Sequence, residues 1–372
     1  MGSLAPRLRD PVLVTGAFGL VGRAVVERLL ADGRAVVASD LDTPAFHRWA
    51  RRLGRLHGER GAFRADPADL TDEHQTRHLV WSNRPRAVVH LAAVIPPACY
   101  QRPGLARRVN VEATGHLVEA VAAASAPPRF VLASSVAVYG RRNPHRTSDL
   151  LTAATPVAPS DLYGEHKVEA ETLVRERLAS FAVLRLGGVL SADVGGAGTG
   201  MASMDFEGML PTDQRITTVE VRDVARAFAA AVALPDDVLA AVAGRTFLIG
   251  GDETHRLVQG AITPAITAAM GLEDAVPPGR PGDPDDDASW FATDWMDTAE
   301  SQAVLDYQRI SWPDLLQEVH DRAGARRYAF RLAAPVLNEV IRRRPARLRA
   351  VGRTHADPWG DVAATFGSPR EH

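Results

Sequence analysis

The sequence predicts an α/β protein, a doubly wound parallel sheet followed by a smaller second domain. Three observations carry this. Short, fully apolar runs recur along the first half of the chain, stretches with helical apolar spacing separate them, and a glycine-rich turn joins the first run to the first helix. A strand apolar at every position is buried on both faces, which requires helices on both sides of the sheet.

The elements follow in order. "VLVT" (12–15) is the first strand, "GAFGLVG" the turn, and "RAVVERLLADG" a helix ending at Gly33. "AVVAS" (35–39) is the second strand, closed by Asp40. "RAVVHLAA" (86–93), "RFVLASS" (129–135) and "FAVLRL" (181–186) continue the series, with helices expected over 72–81, 104–125 and 160–179. After about residue 187 the rhythm breaks. "ITTVEV" (216–221) and "RTFLIGG" (245–251) read as strands around a helix from Asp223 to Leu234. The glycine-rich stretch 191–208 and the Pro/Asp-rich stretch 277–290 read as mobile loops flanking the substrate. The expected organisation is a nucleotide-binding domain over 1–187, to which 216–251 partly return, a substrate domain from 188–215 and 252–325, and a basic C-terminal extension over 326–372. That extension reads as a helix packed on the body with a solvated arginine face, since Pro335 and Pro345 would interrupt a long interfacial helix.

Composition narrows the function. With 43 Lys and Arg against 45 Asp and Glu, the net charge of −2 gives no reason to expect a nucleic-acid partner. Cys99 is the only cysteine, so no intrachain disulfide forms, which fits a reducing cytoplasm. No run of 18 apolar residues and no signal-peptide-like stretch appears, so no membrane partner is expected. No metal site is read.

Gly16, Gly19 and Gly22, with Phe18, Leu20 and Val21 between them, sit where the first strand turns into the first helix. A pyrophosphate rests on a helix N-terminus only where no Cβ intervenes, and the exposed amides and helix dipole then favour its charge. Asp40 ends the next strand, where a carboxylate accepts from both ribose hydroxyls and repels a 2′-phosphate. This context predicts NAD rather than NADP, although Arg48, Arg51 and Arg52 just beyond keep NADP open. Further on, "DLYGEHK" (161–167) sets Tyr163 and Lys167 one helical turn apart on one face. A lone pair of this kind is usually a surface contact. His166 between them is expected to be exposed and inert.

Together, "TGAFGLVG" (15–22), Asp40, "DL" (69–70), "HLAA" (90–93), "NVEAT" (110–114), "SSVAVYG" (134–140), "YGEHK" (163–167) and "LRL" (184–186) resemble the extended short-chain dehydrogenase/reductase family, the group of nucleotide-sugar epimerases and dehydratases. The resemblance covers about residues 12–325 and implies a Rossmann-type fold that binds NAD. It implies that Tyr163 is the general acid/base at the substrate oxygen, that Lys167 holds the nicotinamide ribose and lowers the Tyr163 pKa, and that Ser135 hydrogen-bonds the same oxygen. Asp69 and Leu70 would border the adenine, and Leu91, Ala92, Ala93 and Asn110 would line the cofactor cleft. A free phenol titrates near ~10, so bringing it to neutral pH means stabilising phenolate by roughly 4 kcal/mol.

Within that family, dehydratases resemble one another in an Asp-Glu pair where this chain has Val136 and Ala137, and neither moves a proton. Epimerases usually carry an asparagine at the position of Gly188. "RPGD" (280–283) resembles their diphosphate-holding segment, through Arg280, and reads equally as a turn-rich loop. Trp290, Phe291 and Trp295, with the apolar loop 93–104, read either as small-domain core or as the wall of an apolar pocket. The expectation is an NAD-dependent oxidoreductase acting on a secondary alcohol or ketone of a small molecule. The alternatives are a nucleotide-sugar epimerase and, from a different class, a cofactor-binding regulatory module without catalysis.

The resemblance also implies a homodimer paired through the 104–125 and 160–179 helices. Light scattering at micromolar concentration is expected to give the dimer mass, and a monomer mass would refute it.

Overall fold

A computed structural model describes residues 8–57, 62–193, 201–343 and 352–370. Residues 1–7, part of the N-terminal stretch read above as lacking a signal peptide, lie outside them, as do 194–200 of the glycine-rich stretch and 344–351 of the basic extension with its Pro345.

The sheet is built by alternation. Strands β1 (Val12–Thr15), β2 (Val36–Ser39), β3 (Phe63–Ala65), β4 (Ala87–His90), β5 (Arg129–Ser135), β6 (Phe181–Leu186) and β9 (Thr246–Ile249) are parallel, in the order β3-β2-β1-β4-β5-β6-β9. Val12 and Val14 face one layer, where they meet Val25 and Leu29 of the Leu20–Ala31 helix and Phe228 of the Val221–Ala233 helix. Leu13 points the other way, into a cluster with Leu79, Leu117, Val121 and Val174 from the helices Glu73–Asn83, Ala113–Ala122 and Leu162–Arg177. Both faces are dry, which is why the strands carry no polar alternation.

The strand order reverses between β1 and β4, and the crevice at their carboxyl ends is where ligands bind in open α/β sheets. A second sheet of β7 (Gly188–Leu190), β8 (Arg215–Glu220) and β10 (Arg256–Val258) stands beyond it, with β8 between the other two.

Four local readings are corrected. The stretch expected as one helix over 104–125 is Pro103–Arg107, a π-helical segment Arg108–Glu112, then Ala113–Ala122. The extra residue in the π turn rotates Asn110 inward, where it is 2% exposed. His166 is fully buried, because this face of its helix lies against the body. Pro335 does not interrupt the Arg326–Arg342 helix. That helix buries Ala334 and Ile341 and leaves Tyr328, Leu332, Val336 and Val340 exposed, so its outer face is apolar as well as basic.

One buried carboxylate binds the layers together. Glu171, in the Leu162–Arg177 helix, accepts from Ser134 Oγ of β5 at 2.6 Å and from Arg185 of β6 through Nε at 2.9 Å and Nη2 at 2.7 Å. Arg185 Nη1 in turn donates to the Tyr139 hydroxyl at 2.7 Å. Burial pushes the Glu171 carboxyl up, but Arg185, Ser134 and Arg175 outweigh it and hold the group below its ordinary range. Removing one partner leaves the other charge buried and unmatched. Glu171→Ala is therefore expected to cost about 3–5 kcal/mol in urea unfolding, while Glu171→Met with Arg185→Met costs clearly less. A loss under about 1 kcal/mol for the single change would contradict this role.

Candidate active site

The crevice starts at the glycine turn. Gly16 has φ +68, and a Cβ there would come within 2.6 Å of the Ala92 amide nitrogen. A Cβ on Gly22 would meet the Gly16 carbonyl oxygen at 2.1 Å. Both glycines serve close packing within the protein, Gly16 against the loop after β4 and Gly22 against the turn itself. Gly19 differs, since its Cβ would find nothing nearer than 3.4 Å. It is the N-cap of the Leu20–Ala31 helix and caps it with no side chain. The amides of the first turn, from Leu20, Val21 and Gly22, have no intrahelical acceptors and are aimed past an open cradle.

Asp40 closes the cradle. Its Oδ2 accepts from the Phe18 amide at 2.8 Å and its Oδ1 from the Leu41 amide at 2.8 Å. Each oxygen keeps a lone pair for a further donor. The Phe18 ring is covered by Arg23, 3.8 Å from its centroid, and leans on Phe46 and Trp49. Arg48, Arg51 and Arg52 fall on the same helix as Phe46 and Trp49. The Ala68 amide donates to the Asp40 carbonyl at 3.1 Å, so Asp69 and Leu70 follow directly beside this end of the crevice. Leu70 itself is 8% exposed and packs in the core, while Asp69 Oδ1 accepts from Thr71.

The other wall is the loop after β4. The Leu91 amide donates to the Thr15 carbonyl at 3.1 Å, and His90 bridges Thr15 Oγ1 at 2.7 Å and Thr114 Oγ1 at 3.0 Å. Burial, helped by the Lys167 charge, pulls His90 down to about 3, so its ring is neutral and structural. Asn110 Oδ1 accepts from the Val94 amide at 2.7 Å and its Nδ2 donates to the Val94 carbonyl at 2.9 Å. Asn110 thus fixes the backbone that carries Leu91, Ala92 and Ala93; its amide is spent on the loop.

Ser135 ends β5, and Tyr163 and Lys167 lie in the first turns of the Leu162–Arg177 helix. The structure brings all three together. The Ser135 hydroxyl accepts from the Ala137 amide at 3.2 Å and lies close enough to the Tyr163 phenol to favour its charged form. Lys167 Nζ is 5.7 Å from the Tyr163 ring centroid and donates to the Ala133 carbonyl at 2.8 Å. Asp161 caps the helix through the Gly164 amide and receives the Tyr100 hydroxyl at 2.6 Å. Val136 and Ala137, where a second acid pair would stand, are buried and apolar.

Burial governs the electrostatics. It pushes the Tyr163 phenol above its ordinary value, aided by Cys99 and Asp161 and opposed by Ser135. It pulls Lys167 down to about 8, with Glu171 opposing. The expected lowering of Tyr163 by Lys167 is therefore not present in the chain alone: both groups are driven toward their neutral forms.

Sequence reasoning missed the other side of the site. Val362 and Phe366, at the far end of the chain, share a buried cluster with Cys99, Tyr100, Leu162 and Met209, and Tyr163 packs against it. The Pro369 carbonyl accepts from the Leu162 amide at 2.8 Å, one residue before Tyr163. Trp359 stacks on Phe291 with centroids 5.1 Å apart and donates its Nε1 to the Trp290 carbonyl at 3.0 Å. Trp290 is core, whereas Phe291 joins the aromatic wall through Phe206, 5.5 Å away. The only signal in the sequence is the apolar set in "DPWGDVAATFG" (357–367), too short to place by itself.

A family model described as the NAD dependent epimerase/dehydratase family matches residues 12–250. Among curated proteins, methionine adenosyltransferase 2 subunit beta of Bos taurus is 28% identical over 176 residues, 47% of this chain and 46% of that protein. UDP-glucose 4-epimerase of Mycolicibacterium smegmatis is 33% identical over 162 residues, 43% and 48% of the two chains. The chain spans about half the length of the curated relatives it matches. Among solved structures, UDP-glucose 4-epimerase of Thermus thermophilus in complex with NAD superposes with a TM-score of 0.66 at 21% identity, covering 85% of this chain and 99% of that one. MoeE5 in complex with UDP-glucuronic acid and NAD gives 0.61 at 24% identity, covering 84% and 99%. These likenesses show the shared fold.

The depressed Lys167 sets a pH test. Between about 8 and 10.5 the unfolded lysine holds a proton that the folded one does not, so folding stability gains from this group as pH rises. The contribution is complete above the unfolded value and is lost as pH falls through about 8. Relative to Lys167→Met, the unsubstituted chain is expected to gain roughly 2 kcal/mol between pH 8 and 9.5, read by denaturant unfolding. A difference that stays flat across that window would refute the buried ammonium.

Proposed function

The chain belongs to the NAD dependent epimerase/dehydratase family, and from that premise we propose that it is an NAD-dependent oxidoreductase acting on a secondary alcohol or ketone of a small molecule. The observation that carries the reading is the grouping of Ser135 and Lys167 around Tyr163, with Ser135 favouring phenolate and Lys167 Nζ 5.7 Å from the ring centroid. The cradle fits the cofactor: a Gly19 where a Cβ would meet only the Gly16 carbonyl at 3.4 Å, first-turn amides with no side-chain cap for a pyrophosphate, and an Asp40 carboxylate for the ribose hydroxyls. NAD supplies the site with a hydride acceptor or donor at C4 of nicotinamide.

The chain's residues handle the oxygen. In oxidation, Tyr163 as phenolate takes the hydroxyl proton while the carbinol hydride leaves with its two electrons, and a ketone remains. In reduction, the phenol returns that proton to the carbonyl oxygen. Ser135 donates a hydrogen bond to the same oxygen and steadies its charge. Lys167 supplies positive charge near the ring, opposing the burial that disfavours phenolate, and oxidised NAD held by the cradle would add its own positive charge to the site. Because Val136 and Ala137 provide no second acid or base, elimination of water by that route is closed. A second reading is nucleotide-sugar epimerisation, motivated by the solved UDP-sugar epimerases of the same fold. Arg280 is the discriminating residue, and its Nε is engaged by the Arg353 carbonyl at 2.8 Å.

Two substitutions separate cofactor binding from proton transfer. NADH is expected to bind more tightly than NADPH in a nicotinamide-fluorescence titration, and Asp40→Ala to weaken NADH more than NADPH; the reverse order would reject the ribose role. Tyr163→Phe should keep NADH affinity while turnover falls about 10²–10⁴-fold. Near-normal turnover in Tyr163→Phe would return the Tyr163 and Lys167 pair to a structural contact.

A further inference from the structure

The turn after β5 carries a cation that the site described above leaves unused. Arg141 follows Gly140, which turns the chain at φ +72 so close to the next segment that a Cβ would collide with the Ala158 carbonyl and lie 3.6 Å from the Ser160 amide nitrogen. The Arg141 guanidinium lies over the Trp359 ring, 4.9 Å from its centroid. Its Nε is buried and meets no acceptor, and the group enters no hydrogen bond or ion pair among the described residues. Arg64 and Arg215 also have a buried Nε of this kind, but each has a carboxylate at hand, Asp66 at 3.9 Å and Asp294 at 2.7 Å. Ser160 Oγ, on the segment that Gly140 touches, is likewise buried without a partner. A second cation reaches the same place. Arg370 follows Pro369, whose carbonyl accepts from the Leu162 amide, two residues beyond Ser160. The Arg370 side chain has no hydrogen bond or ion pair among the described residues. Burial pulls Arg141 down, aided by the Arg370 charge and opposed by Asp286 and Asp161. Both carboxylates are engaged elsewhere: Asp286 accepts from the Ala288 amide and Ser289 Oγ, and Asp161 from the Gly164 amide and the Tyr100 hydroxyl.

We propose that Arg141 and Arg370, with Ser160 beside them, form a binding site for a compact oxyanion, a carboxylate or a phosphate, between the turn after β5 and the C-terminal segment. A partly buried guanidinium with an unmatched donor is costly, and a second guanidinium nearby adds to that cost. A bound oxyanion relieves both. The guanidinium fork fits two oxygens of a carboxylate or of a phosphate, and bonds between charged partners are the strong ones. Trp359 sets the plane of the fork before the anion arrives. Its indole is itself held, stacked on Phe291 at 5.1 Å and donating to the Trp290 carbonyl at 3.0 Å. An anion held there ties the C-terminal segment to the turn that follows Ser135. The site is independent of the role proposed for Tyr163.

Inorganic phosphate and malonate are each titrated into the full chain at constant ionic strength. Binding is read by calorimetry and by the Arg141 Nε–H signal in NMR, which is assigned by its absence from Arg141→Gln. At least one probe is expected to bind with a Kd of about 5 mM or tighter and to move that signal. Arg141→Gln is expected to weaken binding about 10-fold or more and Arg370→Gln about threefold. Arg141→Lys, which keeps the charge without the fork, should fall between the unsubstituted chain and Arg141→Gln. The tighter probe assigns the group as phosphate or carboxylate. The anion should also raise the Tm of the unsubstituted chain and leave that of Arg141→Gln unmoved. Binding that persists unchanged in Arg141→Gln overturns the site, because the anion then sits elsewhere, the glycine turn included. Absence of binding by both probes up to about 20 mM overturns it as well. If Arg141→Gln does not fold, Arg370→Gln, at an exposed position, carries the test, and unchanged affinity there overturns the paired site.

Discussion

Everything at the site hangs on one buried charge, the carboxylate of Glu171. It ties the Leu162–Arg177 helix to Ser134 of β5 and Arg185 of β6 at the same time. Ser134 neighbours Ser135, and Lys167 sits one helical turn before Glu171, so the contact that holds the layers also fixes the spacing of Ser135, Tyr163 and Lys167. A helix held only by apolar packing slides and rotates by small amounts. A carboxylate gripped by a guanidinium fork on one side and a hydroxyl on the other does not. Arg185 extends the grip to Tyr139, whose hydroxyl reaches the Thr152 carbonyl, so the turn after β5 is fixed by the same charge.

That rigidity comes with a dry environment, and dryness sets the protonation states. Tyr163 is pushed up and Lys167 pulled down by the same loss of water. The resting pair is a neutral phenol beside an ammonium that burial has made easier to deprotonate. On the function proposed above, forming phenolate at Tyr163 calls for a further positive charge next to the ring.

The parts of the fold legible in the sequence are those fixed by local rules. Fully apolar runs mark strands because both sheet faces are covered, and Val12, Leu13 and Val14 point to two separate cores. Gly16, Gly19 and Gly22 mark a turn that bears no Cβ, although the sequence does not say that Gly16 and Gly22 serve packing while a Cβ on Gly19 would meet only the Gly16 carbonyl at 3.4 Å. Tyr163, Lys167 and Ser135 are legible through spacing and resemblance. What stays hidden depends on distant contacts. His166 looks solvated from its composition and is buried by its neighbours. Asn110 turns inward through a π turn that no periodicity announces. The pairing of Val362 and Phe366 with Tyr100 and Leu162 joins segments far apart along the chain, and nothing local encodes it.

The bond from the Leu162 amide to the Pro369 carbonyl has a consequence for how the molecule breathes. It closes a loop that spans more than half of the chain, while the sheet beneath it is held by dense parallel pairing. Contacts that close long loops form late in folding, and segments held by few of them open ahead of the core. The Leu162–Arg177 helix would lose this amide's partner whenever the far end of the chain lifted. The amides around Leu162 are thereby expected to exchange with solvent ahead of those of β5 and β6, which open only with the sheet.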